Sequence, residues 1–182
     1  MAQLSDLLQL APAPPSPYIG VMFDFAPAPQ ADKATLYQDL LLAADAITRD
    51  EPDAVANMAN IAALIWQFLP DLNWAGFYRI LGGELVLGPF QGKAACIRIP
   101  LDRGVCGAAA TEARTQRVDD VHAFPGHIAC DAASASEIVV PIWVGGQVIA
   151  VLDLDSPLPA RFDAADQAGL EALVERIAPR IA

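Results

Sequence analysis

The stretch SEIVVPIWVGGQVIAVLDLDS, Ser136–Ser156, reads as two β-strands folded around Gly145-Gly146. Val and Ile crowd both arms, and a glycine pair supplies the positive φ angles that a two-residue hairpin turn demands. Successive strand residues point to opposite faces, so Asp153 and Asp155 share one side of the sheet. Glu137 stands at the start of the partner strand. Carboxylates gathered on one face repel one another, and burial raises their proton affinity further. One of them could then hold its proton near neutral pH and act as an acid. The competing reading is an exposed polar face; the apolar flanks Val151, Leu152 and Leu154 weigh against it.

Working outward, the same period of two recurs upstream. NWAGFYRI and ELVLGPF flank LGG as a first hairpin, and AACIRIP reads as a third strand. GVCGAAATEAR begins with glycines and becomes a short helix; TQRVDDV is a brief strand. Two helical stretches precede the sheet. Leu36, Leu40, Leu41 and Ala44 mark one stripe, and Val55, Met58, Ile61, Ala62, Ile65 and Phe68 the other, which Pro70 ends. The closing segment FDAADQAGLEALVERIAPRIA is amphipathic, with Asp163 placed as its N-cap. This order predicts an α+β fold, a central mainly antiparallel sheet of about six strands with helices packed on one face. Residues 1–32, rich in Pro and Ala, read as an extended or partly disordered N-terminal extension, and 33–182 as the domain.

The chain has 182 residues, 54% of them hydrophobic, enough for one sizeable core. Its formal net charge is -11 and its only lysines are Lys33 and Lys93, so neither a nucleic-acid backbone nor an anionic membrane surface is an expected partner. No apolar run is long enough for a membrane span. An odd number of cysteines, and an N-terminus without a basic n-region, predict a reducing, cytoplasmic setting in which all three are thiols.

Each thiol has two readings. Cys130 lies in HAFPGHIACDAASAS among small residues, three positions after His127 and eight after His122. It is either a reactive thiolate favoured by a nearby imidazolium or a buried structural cysteine. Cys106, between Gly104 and Gly107 at a helix start, is either a dipole-stabilised thiolate or a small packed residue. Cys96 follows Gly-Pro and Gln-Gly pairs that predict a loop, from which a thiol could reach another. A zinc site is disfavoured, because no C-x2-C pair is present. Trp74 and Tyr78 fall on one strand face with Gly76 between them, either as a wall for a small apolar group or as core.

Taken together and in order, NWAGFY, LGPFQGKAAC, GVCG, DVHAFPGHIACD, SEIVVP and LDLDS closely resemble free methionine-(R)-sulfoxide reductase, an enzyme built on a GAF domain. The resemblance covers essentially everything after the Pro-rich extension. It implies reduction of free L-methionine (R)-S-oxide with Cys130 as nucleophile and Cys96 as the thiol that resolves it. It further implies a part for Cys106 in disulfide exchange, thioredoxin as external reductant and no bound cofactor. Glu137, Asp153 and Asp155 would form the polar end of the pocket, and Trp74 and Tyr78 would hold the methyl group. A homodimer is expected by analogy with GAF domains. The competing function is a non-catalytic GAF module that senses a small ligand.

Overall fold

The computed structural model describes residues 24–127 and 131–182. Cys130 lies outside the described residues, as does the N-terminal extension up to residue 23. Chain order is α1 (Lys33–Thr48), α2 (Ala54–Phe68), β1 (Trp74–Leu81), β2 (Glu84–Gly92), β3 (Arg98–Pro100), α3 (Gly104–Glu112), β4 (Gln116–Val118), β5 (Ser136–Val144), β6 (Gln147–Ser156) and α4 (Ala164–Ile177).

The strands form one antiparallel sheet ordered β3-β2-β1-β6-β5-β4. Both anticipated hairpins are present, β1–β2 over Gly82-Gly83 and β5–β6 over Gly145-Gly146, all four glycines at positive φ. β3 is shorter than AACIRIP suggested. The Cys96 carbonyl, which a longer strand would offer to a ladder, instead accepts from the Tyr78 hydroxyl at 3.0 Å.

α1, α2 and α4 each begin where an aspartate can accept orphan amides, whereas α3 starts at Arg103 with no side-chain cap. Asp32 accepts from Thr35 N, Asp53 from Ala56 N, and Asp163 from Ala165 N and Asp166 N. α1, α2 and α4 cover one face of the sheet, where Leu40, Ile61, Ile65, Leu170 and Leu173 meet Phe77, Ile138, Ile142 and Leu152. Val55, placed by its spacing on the α2 stripe, is instead 48% exposed, and the buried Leu64 helps close that face. Tyr37 of α1 donates to the buried Asp166 of α4 at 3.0 Å, and Lys33 and Arg161 pair with the same carboxylate at 2.6 and 3.1 Å. α3 alone lies on the opposite face, where Val105, Cys106 and Ala109 pack over Trp74, Tyr78, Val139 and Val151. That division leaves the second face only partly roofed, and the site sits beneath the roof's edge.

Candidate active site

Strand register assembles the acids. Glu137 is directly opposite Asp155 across β5 and β6, and Asp153 is opposite Val139. On the other side of β6, Asp155 pairs with Trp74 and Asp153 with Gly76. All of these side chains face α3, so three carboxyls and two aromatic rings converge on one pocket. Its lining also includes Cys106, Lys93, His127, Asp131 and Ser134.

Glu137 and Asp153 are 6% and 5% exposed, and neither meets a cation close enough to offset that burial. Burial pushes both carboxyls well above the ordinary range, and mutual repulsion adds to it. They share a hydrogen bond, which needs a proton between them. Asp155 is pushed up to about 7, chiefly by burial; a Ser134 hydrogen bond opposes the rise and the charge of Asp131 adds to it. The trio titrates as a unit. At neutral pH it therefore carries protons that isolated carboxylates would have lost. One oxygen, Oδ1 of Asp153, is buried with no hydrogen-bond partner among the described residues.

Cys106 is the third residue of α3 and is buried. Its Sγ donates to Asp153 Oδ2 at 3.2 Å. Burial first, and then the charges of Asp153 and Glu137, push its thiol up, so the neighbouring acids outweigh the helix terminus and Cys106 stays a neutral donor. Cys106, Glu137 and Asp153 bring one ligand atom each within 4.8 Å of one another, the only such group found among the described residues. Within that group the thiol donates to Asp153. Cys96 is half-buried in the β2–β3 connection, against the same apolar cluster that contains Cys106.

The aromatic wall is tighter than spacing alone suggested. Trp74 stacks on Tyr78 at 5.8 Å between centroids and on Phe90 at 5.3 Å. The space over Gly76 is filled: a Cβ there would lie 2.4 Å from Phe90 Cβ and 2.8 Å from Trp74 Cη2. Gly76 thus lets Phe90 back Trp74, and Trp74 and Tyr78 border the pocket. Phe90 was not evident from sequence, because a register irregularity between Gly76 and Tyr78 shifts its pairing.

At the pocket mouth a second polar set was also missed. Lys93 Nζ bridges both carboxylate oxygens of Asp131, at 3.2 and 3.1 Å, and Asn73 donates to Asp131 at 3.3 Å and to Ser134 at 3.0 Å. These hydrogen bonds, led by the Ala133 N–H, hold the Asp131 carboxyl below its usual range. His127 Nε2 lies 3.8 Å from Glu137 Oε2, and burial lowers its proton affinity, which keeps the imidazole neutral at neutral pH. Within the sequence, the rarity of lysine in an acidic chain was the available signal for Lys93.

A sheet with helices on both faces and a pocket between sheet and α3 defines the class, and a family model described as GAF domain matches residues 48–182. The chain is 51% identical to the free methionine-R-sulfoxide reductase of Escherichia coli over 80% of its own length and 88% of that protein. It is 42% identical to the Saccharomyces cerevisiae protein of the same name, over 80% and 86% of the two chains. The crystal structure of free methionine-R-sulfoxide reductase from Neisseria meningitidis in complex with its substrate superimposes with a TM-score of 0.82. That pair is 44% identical, covering 87% of this chain and 96% of that one. The chain belongs to the free methionine-R-sulfoxide reductase family of GAF domains.

Proposed function

We propose that the protein reduces free L-methionine (R)-S-oxide to L-methionine, with Cys130 as the nucleophile, Cys96 as the resolving thiol and thioredoxin as the external reductant. The observation that carries this reading is the proton-retaining trio of the buried Glu137 and Asp153 and the half-buried Asp155 beside an aromatic wall. A sulfoxide oxygen leaves sulfur only once protonated, so a reductase needs a carboxylic acid that is still protonated at neutral pH. The apolar wall of Trp74 and Tyr78, with Phe90 stacked behind Trp74, suits a thioether methyl group and excludes water that would stabilise the carboxylates.

The electron balance is simple. The Cys130 thiolate attacks the sulfoxide sulfur, forming an S–S bond, while an acid of the trio protonates the oxygen, which takes up a second proton and leaves as water. Water then adds to Cys130 Sγ and gives up a proton, the S–S bond breaks, methionine departs with its electron pair, and Cys130 is left as the sulfenic acid. The Cys96 thiol condenses with it, releasing water and forming a disulfide, and a thioredoxin dithiol restores both thiols by exchange. Cys106, a neutral donor to Asp153, orients that carboxyl and lends it proton-donor surroundings.

The test is turnover of free methionine (R)-sulfoxide coupled to thioredoxin, its reductase and NADPH. NADPH loss with the R epimer, none with the S epimer and none in Cys130→Ser is expected. Equal rates on both epimers, or full activity in Cys130→Ser, would refute the assignment.

A further inference from the structure

We propose that Lys93 is the residue that selects a free α-carboxylate, holding that end of the amino acid at the pocket mouth and so favouring free over carboxyl-blocked substrates. The inference rests on the proposed reductase activity and deepens it.

The charge layout of the pocket leaves one place for an anion. The trio Glu137, Asp153 and Asp155 offers a carboxylate no cation at the inner end, and the ionised Asp131 repels one at the mouth. Lys93 is the only lysine or arginine among the described lining residues. A zwitterionic amino acid whose sulfoxide oxygen meets the trio must therefore turn its carboxylate outward, toward Lys93.

Lys93 is held for the task at both ends. Its carbonyl accepts from Trp74 Nε1 at 3.1 Å, tying the loop backbone to the ring that borders the pocket. The preceding Gly92 has φ 118°, and a Cβ there would lie 2.6 Å from the Asn73 carbonyl, so only glycine lets the chain turn this closely onto β1. At the side-chain end, Nζ meets both oxygens of Asp131. Asp131 is already engaged on both oxygens: Oδ1 accepts from Ala133 N and Lys93, Oδ2 accepts from Asn73, and Lys93 Nζ lies 3.1 Å from Oδ2 as an ion pair. Its function is thus to aim the ammonium group. An ammonium has three N–H donors, so Lys93 can keep Asp131 and still offer a hydrogen bond to an incoming carboxylate.

The experiment compares L-methionine (R)-sulfoxide with its α-carboxamide, which differs only in lacking the carboxylate charge. Binding is measured by calorimetry in a Cys130→Ser background, where nothing turns over, and kcat/KM is measured with the cysteines intact. For a charged hydrogen bond made by a largely exposed ammonium, Lys93→Met is expected to weaken binding and kcat/KM for the free acid about fivefold, while the amide changes by less than about twofold. Lys93→Arg should keep most of the preference. Equal losses on acid and amide, or no loss on the acid, would overturn the assignment. Wild-type protein that binds neither compound would overturn the reductase reading beneath it as well.

Discussion

Replacing Asp155 by asparagine is expected to stabilise the protein increasingly as the pH rises from 5 to 8. The folded protein holds the Asp155 proton up to about 7, against an ordinary value of 3.8. Between those values the folded state binds a proton that the unfolded chain has lost, so stability falls as pH rises, then levels off above about 7. At about 1.4 kcal/mol for each pH unit, the full cost of ionising the carboxylate in place is about 4 kcal/mol. Roughly 3 kcal/mol of it falls between pH 5 and 8. Asparagine keeps the shape and the Ser134 hydrogen bond but carries no charge, and it also relieves Glu137 and Asp153 of a repelling neighbour. His127, whose proton affinity is lowered, contributes a slope of opposite sign at its own titration, but wild type and variant share it. Urea unfolding of both reduced proteins at pH 5, 6, 7 and 8 isolates the difference. The gap between the two stability curves should widen by roughly 3 kcal/mol from pH 5 to pH 8, about 6–12 °C in Tm for a chain this size. Parallel curves would refute the claim that Asp155 is a proton-retaining carboxyl.

Other expectations follow from single contacts. Glu137→Gln removes a proton donor without changing shape, and kcat for sulfoxide reduction should fall by about 100-fold or more, while the urea midpoint holds or rises; wild-type kcat would remove Glu137 from the chemistry. Gly169→Ala should destabilise by about 1–3 kcal/mol despite the usual benefit of alanine in a helix. The reason is that a Cβ on Gly169 would meet Tyr37 Cγ at 2.3 Å, and that ring is buried with its hydroxyl bound to Asp166. Thermal unfolding decides it; a raised Tm would contradict the packing. Asp166→Ala strands Lys33 and Arg161 beside a buried void and should cost about 3–5 kcal/mol in the same assay, whereas a change under about 1 kcal/mol would deny Asp166 its linking role.

Local pattern carried the fold a long way. The Gly145-Gly146 turn and the alternation on either side specify β5 and β6, and the same logic specifies β1 and β2. Period two also puts Asp153 and Asp155 on one face. What periodicity cannot supply is register and facing. That Glu137 stands opposite Asp155 depends on how β5 and β6 align, including an irregularity at Ile142/Trp143. That Cys106 reaches Asp153 depends on α3 crossing to the face opposite the three long helices, a tertiary choice that its small side chains permit but do not announce. Lys93 and Asp131, 38 residues apart, are joined only because Gly92 bends the chain back over Asn73.

The most direct test of the central claim uses Cys96→Ser, in which the first oxidised product has no partner to condense with. One equivalent of free methionine (R)-sulfoxide should yield one equivalent of methionine. A sulfenic acid should then be trapped on Cys130 by a dione reagent and located by peptide mass spectrometry, with Cys106 unmodified. Methionine release without a trapped Cys130, or the adduct on Cys106 instead, would contradict the account.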